Sequence, residues 1–387
     1  MSELASWIEI DKPALQNNLN YLRSLFTSET SLGVVLKANA YGHGLLEILQ
    51  LIHSKVDIIH VIRPKDAFLI REWESSQKSN QKRVLVIGAI NTTEAVKCAA
   101  LNIEVVIGTP QANQWPNSLR DNKLNLKAHI HIDTGLGREG FLPSEIETQL
   151  AFLKNCANEI NVVAIMTHFA NTEDVTEQTY ALKQLQKLQD ARNELSKIGI
   201  NSKLETHCAA SAATIVLSNS HFDSVRVGIA MYGLWPSQET RLSCTIVNKT
   251  QLPIKPVLSW KCKSQAVRML NQGSFVGYGC TFRCERETRI AVFPVGYFDG
   301  YPRIASGKAY FLINGTRAPI IGRIMMNHIV VDVTNATRDD SPVTACLIGT
   351  DGSETISTEM LGAWAETINY EVVARIGQHL KRIIIEL

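Results

Sequence analysis

The sequence predicts a (β/α)8 TIM-like barrel followed by a mainly β C-terminal domain. Over roughly the first 240 residues, short apolar β-branched runs alternate with longer stretches of helical period, as buried parallel strands and their crossover helices do. Eight such strand units can be read, the number that closes a barrel. After about Leu242 the alternation stops and strand follows strand. The expected domains are therefore residues 1–240 and 241–387.

The strands are expected at Leu32–Lys37, Ile58–Ile62, Arg83–Ile87, Ile103–Ile107, Lys127–Asp133, Asn161–His168, Lys203–His207 and Ser224–Ala230. Helical candidates between them include Pro64–Ser79, Thr92–Leu101, Ser144–Ala157 and Thr176–Ile198. An open doubly wound sheet is the alternative, but no G-x-G-x-x-G fingerprint supports it. In the second part, Ala309–Ile313 and Ala318–Ile321 flank Asn314-Gly315, a strong hairpin signal. One late helix is expected at Ser357–Thr367.

Of the 387 residues 45% are hydrophobic and 20% charged, which leaves ample material for a large core. Lys+Arg 39 against Asp+Glu 37 gives a net charge of +2, with the signs interspersed. Without a basic stripe, neither nucleic acid nor an anionic membrane is expected as a partner. Met1–Pro13 carries Glu3, Glu9 and Asp11 and no long apolar run, so no secretory signal is expected. No stretch approaches the ~18 apolar residues of a membrane helix. Eight scattered cysteines suit a reduced, cytoplasmic protein. Cys280 and Cys284 lack a second ligand pair nearby, so no metal is expected there.

Active sites of barrels lie at the carboxyl ends of the strands, and the polar residues gather there. Lys37 ends strand one, His131 and Asp133 end strand five, and Arg138 follows in a Gly-rich loop. His168 and His207 end strands six and seven, Ser211 lies just beyond, and Arg226 lies within strand eight. A lysine closing the apolar run Gly33-Val-Val-Leu36 has its ammonium disfavoured by burial and becomes a nucleophile toward aldehydes. A lysine whose ammonium snorkels to solvent is the plainer alternative. Barrels often hold phosphate in the loops after strands seven and eight, which here supply Ser211 and Gly228-Ile229. Phosphate beside a Schiff-base lysine points to pyridoxal phosphate, with Arg226 facing its ring.

These residues belong to motifs that run the length of the chain. Val35-Leu-Lys-Ala-Asn-Ala-Tyr-Gly-His-Gly44 resembles the pyridoxal-phosphate attachment motif of bacterial alanine racemases. The likeness continues through Ile8-Glu-Ile-Asp11, Ile132-Asp-Thr-Gly-Leu-Gly-Arg138, Thr167-His-Phe-Ala170, Arg226-Val-Gly-Ile-Ala-Met-Tyr-Gly233 and Val276-Gly-Tyr-Gly279. It ends with Gly296-Tyr-Phe-Asp-Gly-Tyr-Pro302, Gly322-Arg-Ile-Met-Met326 and Asn369-Tyr-Glu371.

The resemblance implies the racemisation of alanine, with D-alanine supplied for peptidoglycan. It also implies a head-to-tail homodimer in which each barrel mouth is completed by the other chain's β domain. Lys37 is then the cofactor's Schiff-base lysine and one catalytic base, and Tyr278 of the other chain is the second. Two bases on opposite faces of Cα serve both directions of reaction. A phenol is a weak base at neutral pH, and His168 and Arg226 are placed to stabilise its phenolate. Tyr41, Ser211, Gly228, Ile229 and Tyr370 match phosphate ligands, and Arg226 supported by His207 matches the residue at the pyridine nitrogen. Arg138 and the Met326 backbone match substrate-carboxylate contacts, and Tyr297 lines the entry.

Three positions depart from the pattern. His131 stands where many relatives have a lysine, often carbamylated, that orients the arginine, so His131 or a bound anion is expected to hold Arg138. Ala210 and Asn327 replace a usual asparagine and aspartate. The alternatives are a racemase of other amino acids, such as serine or lysine, and a pyridoxal-phosphate carrier without activity. A metal-dependent barrel hydrolase using His129 and His131 is the remote one.

Overall fold

The computed structural model describes residues 5–173, 177–200, 203–248 and 253–386. Two compact units result: Gln16–Lys37 with Leu49–Ile254, and Met1–Leu15 with Ala38–Ile48 and Lys255–Leu387. These units do not meet at a single cut near residue 240. Ser6–Asp11 and the segment after Lys37 group with the β unit, because their hydrogen bonds lie there.

After β1 (Ser6–Asp11) come the strands of the barrel unit: β2 (Ser31–Val35), β3 (Ile58–Val61), β4 (Arg83–Val86), β5 (Glu104–Ile107), β6 (Leu126–His131), β7 (Ile160–Met166), β8 (Glu205–His207) and β9 (Ser224–Val227). All eight expected strands are present; six stop short of their expected carboxyl ends, and β2, β6 and β7 begin one residue earlier. Neighbours pair in parallel from β2 round to β8, and β2 also pairs with β9. Between β8 and β9 the ring is joined by the bridge Ala210–Arg226, where the Arg226 amide donates to the Ala209 carbonyl at 2.8 Å. Val34, Ile59, Leu85, Val105, Ile130 and Ile165 are fully buried, the all-round burial that parallel strands require. Close approach at one point demands glycine: a Cβ on Gly33 would lie 2.4 Å from both the Val225 carbonyl and His60 Nε2.

The helices agree less evenly. Pro64–Ser76 and Thr92–Ala100 form as expected, the latter closed by a capping box between Asn91 and Glu94. Thr179–Lys197 forms one long helix, and the expected start at Thr176 lies outside the described residues. Ser144–Ala157 is not one helix but a single α-turn, Ile146–Gln149, between two 3-10 turns.

The second unit follows with β10 (Leu258–Lys263), β11 (Ala266–Leu270), β12 (Phe275–Val276), β13 (Phe282–Arg283), β14 (Thr288–Phe293) and β15 (Tyr310–Ile313). Then come β16 (Thr316–Pro319), β17 (Ile329–Asp332), β18 (Thr344–Asp351), β19 (Glu354–Ile356) and β20 (Lys381–Ile385). The main sheet runs β16-β15-β18-β10-β1-β20, with β19 on β18; β11-β14-β17 and β12-β13 form separate sheets. The strand β1 is thus central to the β unit, flanked by β10 and β20. Its apolar residues Ile8 and Ile10 are fully buried there. The Asn314-Gly315 hairpin forms as expected, with both residues at positive φ (52° and 72°), the geometry of a type I′ turn. Thr358–Trp364 is the expected late helix, capped by Ser357, whose Oγ accepts from the Met360 amide at 3.2 Å. A second short helix, Asn369–Ala374, was not anticipated and carries Tyr370.

Among the described residues no helix is long and apolar enough to cross a membrane.

Candidate active site

Lys37 follows β2 directly, after the buried Leu36. Burial, with the positive charge of Arg138, holds its amine below the usual lysine range, against the opposing pull of Glu139. The next four residues, Ala38 to Tyr41, all have φ between 52° and 55°, a left-handed turn that costs L-residues roughly 1–2 kcal/mol each. The β unit supplies the restraints. The Gly42 and Gly44 amides donate back to the Ala38 and Asn39 carbonyls, each at 3.0 Å. The Leu45 amide donates to Asn39 Oδ1 at 2.9 Å, and Arg382 Nη2 donates to the Gly42 carbonyl at 2.8 Å. In the same unit the Tyr41 and Tyr370 rings lie 6.3 Å apart.

Arg226 lies on β9 opposite Gly33 of β2. The residue is 4% exposed, and among the described residues the hydrogen bonds of its guanidinium go to carbonyl oxygens and imidazole nitrogens. Nη1 donates to His207 Nδ1 and to the His207 carbonyl, both at 2.8 Å. Nη2 reaches the carbonyls of Thr167 (2.8 Å) and Cys208 (3.3 Å) and His168 Nδ1 (3.3 Å). With no carboxylate partner among the described residues, burial pushes this arginine down to about 10. Beside it the buried Ser211 hydroxyl accepts from the amides of Gly228 (2.9 Å) and Ala230 (3.3 Å). That gathers the expected phosphate-loop residues Ser211 and Gly228 at the start of the turn Ile229–Tyr232.

Asp133 organises the loop before Arg138. Its carboxylate accepts from the amides of Gly135, Leu136 and Gly137 at 2.9–3.2 Å. Those bonds hold it below the usual carboxylate range, although burial acts the other way. Two residues of the long helix, which no motif had singled out, brace the same loop. Tyr180 Oη donates to the Gly135 carbonyl at 2.7 Å, and Gln184 Nε2 donates to Thr134 Oγ1 at 3.1 Å. Arg138 itself pairs through Nε with Glu139 Oε2 at 2.9 Å. The expectation that His131 or a bound anion holds Arg138 gains no direct contact from His131: no hydrogen bond joins the two side chains, and the buried His131 Nδ1 has no partner among the described residues. The carboxylate adjacent in sequence supplies the charge that a neutral imidazole cannot. His129 does not pair with His131 either; its ring nitrogens contact His207 and Glu104.

In the β unit, Tyr278 lies in the tight turn between β12 and β13 and is 72% exposed. The turn rests on the next loop, since a Cβ on Gly277 or Gly279 would meet Arg323. Gly296 packs on the Met325 and Met326 carbonyls, which accept from the amides of Tyr297 (3.2 Å) and Phe298 (3.0 Å). Tyr278, Tyr297, Phe298 and Met326 are all exposed.

Two family models cover most of the chain: alanine racemase, N-terminal domain, over residues 10–236, and alanine racemase, C-terminal domain, over 257–384. The chain belongs to the alanine racemase family. An alanine racemase of Leptospira interrogans is 37% identical over 385 residues, 99% of this chain and 96% of that protein. The solved alanine racemase of Bacillus anthracis with bound L-Ala-P superposes with a TM-score of 0.88 at 27% identity, covering 100% of this chain and 96% of that one. A histidine racemase of Leuconostoc mesenteroides shares the fold, with a TM-score of 0.85 at 23% identity, covering 100% and 99%.

Alanine racemases depend on pyridoxal phosphate, and the barrel unit fits that group. An amine of lowered basicity lies just past the end of β2, the strand paired with that of Arg226, a buried cation with no carboxylate partner among the described residues, and backbone amides converge on Ser211. Aldehyde, pyridine nitrogen and phosphate each have a chemically suited neighbour.

The buried histidines set the response to acid. Burial, aided by neighbouring arginines, pushes His43 and His131 down to about 4 and His168 to about 3. His60, His207 and His221 also lie below the usual histidine range, again through burial. Each is lower in the folded state than the ~6.5 of the unfolded chain. Their contribution is complete above about pH 6.5 and is lost as pH falls toward the folded values. Acid unfolding followed by circular dichroism is expected to have its midpoint between about pH 4 and 6. A midpoint below about pH 3.5 would show that these rings find new partners when protonated.

Proposed function

We propose that the chain interconverts L- and D-alanine by two-base proton transfer at Cα with pyridoxal phosphate bound. The observation that carries this reading is Lys37 of lowered basicity just past the end of β2, the strand paired with that of Arg226, a buried cation with no carboxylate partner among the described residues. When bound, pyridoxal phosphate supplies the electron sink for the pair left at Cα. Lys37 Nζ takes or returns the proton on one face, and Tyr278 Oη acts on the other. Ser211, Gly228, Ile229, Tyr41 and Tyr370 hold the phosphate. Arg226, kept in place by His207 and the Thr167 carbonyl, faces the pyridine nitrogen. A permanently cationic donor there disfavours protonation of that nitrogen and limits side reactions. His168 supports Tyr278, and Arg138 with the Met326 backbone receives the substrate carboxylate past Tyr297.

The working form in this reading is a head-to-tail homodimer in the cytoplasm, supplying D-alanine for peptidoglycan. Exposed Tyr278, Tyr297, Phe298 and Met326 support a partner-facing surface on the β unit. Eight free thiols suit a reducing compartment.

Racemisation assays on L- and D-alanine, serine and lysine test the reading. Alanine is expected to turn over fastest, in both directions, with the visible absorbance of a lysine-bound cofactor. A colourless protein inert toward alanine would overturn it, and preference for serine or lysine would reassign the substrate. Glu139→Gln removes the anion that aims Arg138. It is expected to raise the KM for alanine about two- to fivefold, the scale of an exposed ion pair, and to leave kcat within about twofold. An unchanged KM would show that Glu139 does not position Arg138.

A further inference from the structure

The hydrogen-bonded chain that begins at Arg226 continues past His207 through the barrel interior. His207 Nε2 lies 2.7 Å from His129 Nδ1, with the two rings nearly edge to face, and His129 Nε2 lies 2.8 Å from Glu104 Oε2. Arg83 then holds both oxygens of Glu104 at 3.0 Å and those of Glu205 at 3.1 and 2.9 Å. His207 is the last residue of β8, whereas Glu104, Arg83 and Glu205 are the first of β5, β4 and β8. The chain thus runs from the carboxyl end of the strands, where the site lies, to their amino end. Arg226, His207, His129 and Glu104 are each at most 4% exposed.

One arrangement of protons satisfies every link. A guanidinium only donates, so His207 Nδ1 must be bare and its proton must sit on Nε2. His129 Nδ1 must then accept, which puts the His129 proton on Nε2, facing a carboxylate that only accepts. Reversing any link sets two N–H groups against each other and opposes Arg226. Burial acts to raise the Glu104 carboxyl, but the hydrogen bonds from His129 and Arg83 hold it at about 2, so it stays ionised.

We propose that Glu104, acting through His129, is a positioning residue for the reaction: it fixes the proton of each imidazole and so keeps His207 an acceptor that holds Arg226 in place. The inference rests on the assignment of Arg226 to the cofactor's pyridine nitrogen. Neither Glu104 nor His129 touches the reacting atoms, and both act from behind the site.

The test uses the full-length holoenzyme labelled with 15N-histidine, in which NMR separates protonated from bare ring nitrogens. Wild type is expected to show protonated Nε2 and bare Nδ1 at both His129 and His207. Glu104→Gln presents an amide that can also donate, and His129 is expected to lose its single tautomer. The kcat for alanine is expected to fall at least about tenfold, with KM within about twofold. A proton on Nδ1 of either ring in wild type overturns the proposal. So does a Glu104→Gln enzyme whose kcat stays within about twofold of wild type. If that variant does not fold, His129→Asn cuts the relay one step nearer the site, with the same expectation for kcat and the same overturning result. The ring-nitrogen spectrum needs no turnover, so its failure is distinguishable from a failure of the assignment of Arg226.

Discussion

Lys37→Ala is expected to lower racemisation of alanine by at least about a thousandfold, because in the proposed mechanism it removes both the covalent anchor of the cofactor and one of the two bases. The same change should abolish the visible absorbance that reports a lysine-bound cofactor. The fold is expected to survive. Lys37 is only partly buried, its amine is held below its usual range, and the left-handed turn after it is fixed by Asn39, Gly42 and Arg382. An unchanged melting temperature alongside lost activity would separate chemistry from stability. If Lys37→Ala kept more than about a tenth of wild-type activity, the lysine would be a snorkelling barrel-end residue after all.

Tyr278→Phe is the second large effect. The phenyl ring preserves the exposed shape of the turn between β12 and β13 and removes only the hydroxyl. Racemisation is expected to fall about a hundred- to ten-thousandfold in both directions, the scale of one general acid–base group. With Lys37 still present, one enantiomer should go on exchanging its α-proton with heavy water while the other does not. Exchange of both at wild-type rates would mean that a single base, or solvent, reaches both faces of Cα.

How far the sequence carries can be judged from particular residues. Most barrel strands were legible because burial on both faces leaves them as apolar runs, and the polar residues at the ends of the first, fifth, sixth and seventh mark the mouth. The place of β1 was not legible. Ile8-Glu-Ile-Asp11 reads as a strand in either unit, and only pairing with β10 and β20 assigns it. The broken helix after Pro143 was missed because Leu150, Leu153 and Cys156 are buried at a spacing that also suits an α-helix.

The site divides in the same way. Lys37, Arg226 and Ser211 could be named from position in a strand or loop. Glu139 could not, since a charged neighbour of Arg138 on a surface loop looks like ordinary solvated charge. Tyr180 and Gln184 sit in a long polar helix and reach the loop before Arg138 only through tertiary packing. Glu104 carried a signal that went unused: a carboxylate opening an apolar strand is costly to bury unless a partner waits for it.

The central claim is that each site takes Lys37 from one chain and Tyr278 from another. Mixing purified Lys37→Ala with purified Tyr278→Phe under conditions that exchange subunits tests this most directly. Neither variant alone should racemise alanine appreciably. Random re-pairing makes half of the dimers hybrids with one intact site of two, so the mixture should regain about a quarter of wild-type activity. No recovery, with exchange verified by mass spectrometry, would place both bases on the same chain and contradict the account.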